Sequence, residues 1–154
     1  MKNEIRIETQ INAPANTVWS ILTDFSRYPD WNPLIPSIDA NLSVGSPVSF
    51  TLRAHGLDLP VIGAEITNVA RGEDFRWAGP ANEMLAQAVR LEHYFTVQAL
   101  GPDSCRFIHG EFATGLLADL VFQLLQTAEG GYKDMNLALK NRAEAEYRKN
   151  KQSA

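Results

Sequence analysis

The chain has 154 residues, of which 45% are hydrophobic and 21% are charged, which suits one globular domain and is too short for two full ones. Its 18 acidic and 14 basic residues give a net charge of −4, which argues against a general nucleic-acid or anionic-membrane binder. Cys105 is the only cysteine, so we expect neither an intramolecular disulfide nor a cysteine-rich zinc site, as in a reducing, cytoplasmic compartment.

The N-terminal segment predicts one strand followed by two short helices. Residues 4–11 alternate in a way typical of a half-buried strand, and because the strand begins this early no signal peptide is expected. Pro14 suits the first position of a helix, where its missing N–H costs nothing. Asp24 is a good cap for a second short helix over residues 25–28, which we expect Pro29 to end.

Further strands are predicted in the middle of the chain, separated by residues that favour turns. They cover residues 38–42, 47–54, 59–69, 75–78, 88–99 and 104–113, with a loop over residues 79–84. Strands joined by tight turns indicate an antiparallel meander.

A long amphipathic helix is predicted from about residue 116 to residue 148, where apolar side chains recur at spacings of three and four. Gly130 and Gly131 should weaken this helix, bend it or let it approach another backbone closely. The most apolar segment, residues 115–125, is interrupted by polar residues and is far too short to cross a bilayer, so no integral membrane association is expected.

This order of elements has a physical consequence. A strongly twisted antiparallel sheet of seven strands can curl around the long helix, and the two short helices can close one end. If the inward side chains do not meet, an apolar cavity remains between the sheet and the C-terminal helix, which is a usual setting for a small-molecule site.

The sequence also carries the segments INAPANTVW, LTDF, YPDWNP, EHYF and FIHGEFATGL, at residues 11–19, 22–25, 28–33, 92–95 and 107–116. Together they resemble the START-related, pollen-allergen-like superfamily often labelled SRPBCC, and within it the bacterial polyketide cyclase/dehydrase-like proteins. The resemblance implies an α+β helix-grip fold (β-α-α-β6-α), with a seven-stranded curved antiparallel sheet wrapped around a long C-terminal helix. It implies one domain over residues 1–149, followed by a disordered tail over residues 150–154, and a hydrophobic pocket. It supplies no substrate, because one fold hosts many functions.

Three polar residues on two predicted neighbouring strands are the candidates for chemistry. Alternation places His93 on the more apolar face of its strand. Residues 104–112 have apolar side chains on both faces, so alternation does not decide which face of this strand points inward. The family resemblance favours His109 and Glu111 facing the pocket. There the three residues could anchor a ligand, perform acid/base chemistry or simply satisfy one another as buried polar groups.

A metal site is the weaker interpretation of this set. Two histidines and a glutamate can form a facial triad, but the spacing of His93, His109 and Glu111 is no recognised metal motif, so no metal or other cofactor is predicted. A phosphate-binding glycine loop, a G-x-S-x-G motif and an H-E-x-x-H motif are all missing from the sequence, and Cys105 has no activating motif. Basic residues interleaved with aromatics are missing too, so nucleic-acid binding has no support.

Apolar residues from the sheet, the long helix and the loop near the second short helix are predicted to contact a ligand. They are Trp31, Phe50, Phe75, Trp77, Leu91, Phe95, Phe107, Leu124, Ala128, Tyr132 and Met135.

Three functions compete. The first is a carrier or sensor, monomeric or homodimeric, that binds a small hydrophobic or amphipathic molecule such as a lipid, a polyketide or an isoprenoid-like compound. The second is a polyketide cyclase, aromatase or dehydratase-type enzyme, in which His93 and Glu111 act as acid and base and His109 orients them. The third is a module whose long helix or loops dock another protein.

Overall fold

A computed structural model describes residues 3–153 of the chain. Its strands are β1 (Asn3–Ile11), β2 (Ser37–Ala40), β3 (Pro47–Ala54), β4 (Leu57–Ala70), β5 (Asp74–Gly79), β6 (Arg90–Gly101) and β7 (Ser104–Thr114). The helices are α1 (Ala15–Thr23), α2 (Tyr28–Trp31), α3 (Glu83–Ala88), α4 (Ala118–Gln126) and α5 (Glu129–Ser153). All seven strands form one antiparallel sheet in the order β1-β7-β6-β5-β4-β3-β2, which confirms the predicted fold.

Alternation along the central strands gives the sheet a buried inner face. In β5, β6 and β7 every second side chain points inward, and most of these are buried, among them Phe75, Trp77, His93, Phe95, Phe107, His109 and Glu111. Helix α5 packs against this face from the β1 side with its own buried residues, Tyr132, Met135, Asn136, Leu139 and Ala143. The β1 half of the space between sheet and helix is therefore filled by side chains.

On the outer face of the sheet, one tyrosine crosses a glycine and links three strands. Tyr94 of β6 lies over Gly110 of β7 and donates its hydroxyl to Glu4 of β1, with 2.6 Å between the oxygens. A Cβ atom at Gly110 would lie 2.3 Å from the carbonyl oxygen of Ile5 and 2.4 Å from the Tyr94 ring. Only glycine leaves room for this crossing.

The C-terminal helix is divided, whereas the sequence analysis predicted one helix over residues 116–148. Helix α4 ends at Gln126, and the next turn closes with hydrogen bonds of shorter span, from Thr127 N to Leu124 O and from Gly131 N to Ala128 O. The glycines follow this break. A Cβ atom at Gly131 would lie 2.9 Å from the Leu34 side chain, so this glycine permits the close approach that the sequence suggested.

Three shorter segments also differ from the prediction. Residues 79–84 do not form a simple loop, because Asn82 caps helix α3 by accepting a hydrogen bond from Leu85 N (3.1 Å). Pro29 does not end the second helix. It lies in the first turn of α2, where its missing N–H is tolerated, after a 3₁₀ turn over Phe25–Arg27.

The C-terminus is the third difference. Helix α5 continues through Ser153 and so includes most of the segment expected as a disordered tail. The Ser153 hydroxyl donates to the carbonyl oxygen of Lys149, and Lys151 lies in the last turn, where a cation interacts favourably with the helix dipole. Among residues 3–153, no helix is long and apolar enough to cross a membrane.

Candidate functional site

A cavity of about 260 Å³ remains between the β3–β6 half of the sheet and helix α4. Its wall comes from five strands, the segment after β5 and helix α4. The wall residues are Phe50, Leu52, Val61, Ile62, Ala64, Trp77, Gly79, Pro80, Leu91, His93, Glu111 and Leu125. All of them are apolar or aromatic except His93 and Glu111, so one buried polar pair faces an otherwise hydrophobic space.

A bulge in β4 shapes the open side of this cavity. Val48 pairs with Ala64 and Phe50 pairs with Val61, so β4 has one residue more than β3 between these pairs. Gly63 adopts a φ of +80° there, a conformation that glycine reaches without strain. The bulge lets the adjacent residues Val61 and Ile62 both line the cavity. Since Ile62 is 80% exposed, it marks the mouth.

The structure separates the predicted ligand-contacting residues into three groups. Phe50, Trp77 and Leu91 line the cavity, together with His93 and Glu111. A second group lies in the packed core behind the wall and is almost completely buried: Phe75, Phe95, Phe107, Tyr132 and Met135. None of these five lines the cavity, and among them Phe75 stacks on Phe95 with 4.6 Å between the ring centroids.

The third group lies away from the cavity. Leu124 is 66% exposed, and its neighbour Leu125 occupies the position in the wall. The sequence analysis assumed one continuous helix, whereas α4 ends at Gln126 and α5 begins at Glu129. Ala128 lies in that break beside a separate surface groove. Trp31 packs against Tyr28, with 5.2 Å between ring centroids, and does not line the cavity.

Sequence reasoning missed Leu52 of β3, the three wall residues of β4, and Gly79 and Pro80 at the end of β5. Leu52 could have been found, because alternation places it on the same face as Phe50. Val61, Ile62 and Ala64 surround a glycine inside an apolar run, which is a signal for a bulge but does not identify the residues that turn inward. Gly79 and Pro80 carry no pattern that places them in a wall.

The polar pair continues into a chain of buried hydrogen bonds. His93 Nδ1 lies 3.2 Å from Glu111 Oε2, which also accepts a hydrogen bond from the Tyr132 hydroxyl at 2.7 Å. On the other side, His93 Nε2 lies 2.7 Å from His109 Nε2, and His109 Nδ1 lies 2.8 Å from Asn136 Oδ1. The structure therefore brings His93, His109 and Glu111 together as the sequence suggested.

His109 itself is not in the wall, although the family resemblance placed it there. Its ring is fully buried behind His93, with 4.9 Å between the ring centroids. The register explains this position, because His109 lies between Ile7 of β1 and Phe95 of β6, on the side where α5 covers the sheet. Asn136 was missed. The signal for it was a polar residue within the buried stripe of α5.

The hydrogen-bond partners fix the tautomers along this chain. Asn136 Nδ2 lies 3.4 Å from the carbonyl oxygen of Ile7, which can only accept, so Nδ2 is the donor and Asn136 Oδ1 accepts from the N–H at His109 Nδ1. Burial, together with the nearby His93, lowers the pKa of His109 well below its usual range, against the opposing effect of its hydrogen bond to Asn136. A neutral His109 leaves Nε2 as an acceptor, and His93 Nε2–H donates to it.

His93 Nδ1 and Glu111 Oε2 are the polar atoms at the cavity, and their 3.2 Å contact is an ion pair whenever His93 is protonated and Glu111 is ionised. Burial and the neighbouring Glu111 raise the pKa of Tyr132 well above its usual range, so its hydroxyl remains a donor to Oε2. The pair can accept a hydrogen bond or transfer a proton at the edge of an apolar cavity.

The described part of the chain, residues 3–153, contains no group of three or more His, Cys, Asp or Glu side chains arranged to hold a metal ion. All four ring nitrogens of His93 and His109 instead lie within hydrogen-bonding distance of protein partners.

Comparisons with known proteins agree with this architecture. A family model described as "Polyketide cyclase / dehydrase and lipid transport" matches residues 3–144. Comparison with curated proteins gives no match. Among solved structures, a START superfamily protein from Mycobacterium smegmatis is 20% identical, with a TM-score of 0.68 over 92% of this chain and 97% of that one.

Two enzymes have the same fold. The Zhui aromatase/cyclase from Streptomyces sp. R1128 is 13% identical, with a TM-score of 0.73 over 94% of both chains. Norcoclaurine synthase from Thalictrum flavum is 16% identical, with a TM-score of 0.63 over 92% of this chain and 86% of that one. At these identities the likeness shows a shared fold and does not extend to a shared reaction.

Proposed function

The chain belongs to the polyketide cyclase/dehydrase and lipid transport family, and on that premise we propose that it binds a small hydrophobic or amphipathic molecule in the cavity between the sheet and α4, as a carrier or sensor. The observation that carries the proposal is an unfilled apolar space in an interior that otherwise packs closely. Proteins contain few such spaces, because each one forfeits dispersion contacts.

The cavity's size sets the scale of the ligand. Ligand pockets usually measure about 300–1,000 Å³, so 260 Å³ suits a molecule smaller than a typical drug. The exposed Ile62 at the mouth gives a route of entry. One structure of the same fold, norcoclaurine synthase, is in complex with dopamine and hydroxybenzaldehyde, which supports a compact aromatic ligand here.

Titration with naphthalene tests the proposal, since this probe has no polar group. Leu125→Trp should fill the cavity and weaken binding at least tenfold. Leu124→Trp is the matched control, because Leu124 directly precedes Leu125 in the same helix and its side chain is exposed. Equal effects of the two substitutions on calorimetric binding, or no binding to the unchanged protein, would contradict the proposal.

A second candidate function is acid/base catalysis of the cyclase, aromatase or dehydratase type. The observation that favours it is the close contact of His93 Nδ1 with Glu111 Oε2 (3.2 Å) beside the cavity, with His109 held by Asn136 as a positioning residue. An ionised Glu111 could take a carbon-bound proton from a ligand, leaving an enolate that is reprotonated from solvent.

Deuterium exchange separates catalysis from simple binding. The ketone 2-tetralone in D₂O exchanges its α-protons by this step, and proton NMR follows the loss of signal. A catalytic pair should accelerate the exchange, and Glu111→Gln should abolish the acceleration, while Glu92→Gln on the outer face retains it. A rate equal to that of buffer alone would rule out this chemistry for this ketone.

A further inference from the structure

The two carboxylate oxygens of Glu111 have different surroundings. Oε2 lies near both the Tyr132 hydroxyl (2.7 Å) and His93 Nδ1 (3.2 Å). Oε1 has no hydrogen-bond partner anywhere in residues 3–153, and Glu111 lines the cavity. Since Oε2 is occupied, Oε1 is the oxygen available to a ligand.

Oε1 is a hydrogen-bond acceptor. The contacts from Tyr132 and His93 both fall on Oε2, so neither of them occupies Oε1, and an oxygen of a carboxylate carries no hydrogen. The other polar wall residue is His93, whose Nε2 is hydrogen-bonded to His109 and whose Nδ1 is in contact with Glu111 Oε2. A ligand in this cavity must therefore bring a hydrogen-bond donor or leave a buried acceptor unpaired, which costs binding free energy.

We infer that the cavity selects molecules that carry a neutral hydroxyl group, a phenol or an alcohol, which donates its proton to Glu111 Oε1. This inference rests on the proposed binding function and specifies its ligand class. The oxygen of a hydroxyl can also accept a hydrogen bond. The wall contains a donor that could use it, because the indole Nε1 of Trp77 has no hydrogen-bond partner in the described chain.

Other head groups fit this site less well. A carboxylate would place a second acceptor, with its own charge, beside Oε1 in an apolar surround. An ammonium group has three donors, which water satisfies outside the protein. In the cavity it would find only one free side-chain acceptor, so two donors would lose their partners. A hydrocarbon leaves Oε1 unpaired. A hydroxyl needs one acceptor and carries no charge, so it meets what the wall provides.

Three probes with the same bicyclic body test the inference at pH 7: 2-naphthol, 2-methylnaphthalene and 2-naphthoate. The hydroxyl and the methyl group have similar sizes, so the first pair isolates the hydrogen bond. We expect 2-naphthol to bind about tenfold more tightly than 2-methylnaphthalene, and 2-naphthoate to bind most weakly. A cavity without a polar anchor would favour 2-methylnaphthalene, because it is the more hydrophobic probe.

Variants assign the effect to Glu111. Glu111→Gln should reduce the preference for 2-naphthol to less than about threefold. Glu92→Gln, the same change on the outer face of the sheet, should keep it. Near-UV circular dichroism checks that each variant is folded. The comparison of 2-naphthol with 2-methylnaphthalene on the unchanged protein needs no variant.

The outcomes distinguish this inference from the proposed function. If both neutral probes bind and 2-methylnaphthalene binds as tightly as 2-naphthol, the inference is wrong and the binding function stands. A preference for 2-naphthol that persists in folded Glu111→Gln also overturns it. If none of the three probes binds, both the inference and the proposed function fail.

Discussion

Tyr132 of α5 donates its hydroxyl to Oε2 of Glu111 on β7, with 2.7 Å between the oxygens. Tyr132 does not line the cavity, yet this bond helps to decide which oxygen of the only carboxylate in the wall is left for a ligand. Helix α5 thus influences the cavity without lining it, because its Tyr132 occupies one of the two carboxylate oxygens of Glu111.

Replacing Tyr132 with Phe removes this donor and leaves the rest of the ring in place. Because Glu111 is buried, we expect the free energy of unfolding to fall by about 1–3 kcal/mol, measured by urea denaturation. Tyr147→Phe is the control, since the Tyr147 hydroxyl bonds Asp103 at the exposed surface and its loss should cost clearly less than that of the buried Tyr132 hydroxyl. Equal losses for the two variants would show that the buried bond contributes nothing special.

Gly110 should not tolerate a side chain. In Gly110→Ala the new Cβ would collide with the carbonyl of Ile5 and with the Tyr94 ring, so we expect a loss of stability of at least about 2 kcal/mol. Gly130→Ala is the opposite case, because nothing lies within 4 Å of its Cβ position in helix α5, and should stabilise the protein by about 0.5–1 kcal/mol. Thermal unfolding measures both changes, and a harmless Gly110→Ala would contradict the packing of Tyr94 on this glycine.

Stability should fall as the solution becomes acidic, in part because of His109. The unfolded chain binds a proton at this residue near pH 6.5, whereas burial lowers the pKa of His109 in the folded state well below that. Below about pH 6.5 the unfolded state therefore holds more protons, and stability decreases by up to about 1.4 kcal/mol per pH unit for this group, until the pH reaches the folded-state pKa.

Urea titrations at several pH values between 5 and 7.5 measure this contribution. His109→Gln cannot titrate, so its stability should depend less steeply on pH than that of the unchanged protein. Identical slopes for the two proteins would mean that His109 carries the same charge when folded and unfolded.

Alternation along β6 and the family resemblance were enough to predict that His93 and Glu111 lie on neighbouring strands and face the same side of the sheet. That they are direct register partners is a finding of the structure, because alternation does not fix the register. The same reasoning extended His109 into the wall, because alternation gives the face of a side chain and not the part of that face covered by a helix. Asn136, contributed by that helix, could be found only by noticing one polar residue in an apolar stripe.

The remaining cavity residues depend on geometry that a pattern of apolar residues does not contain. Leu124 and Leu125 are both apolar, yet Leu124 is exposed and Leu125 lines the cavity, and their side-chain types do not distinguish them. The bulge at Gly63 turns Val61 and Ile62 toward the same space, which contradicts strict alternation. Such irregularities follow from tertiary packing and define the shape of the site.

NMR of the protein with bound naphthalene tests the central claim most directly, using a sample labelled with ¹³C at its methyl groups. We expect intermolecular nuclear Overhauser effects from the probe to the methyl groups of Val61, Ala64 and Leu91, and their loss in Leu125→Trp. Effects confined to the exposed Leu116 and Leu120 near and on α4, with none to the three wall residues, would show that the protein binds apolar molecules on its surface and not in the cavity.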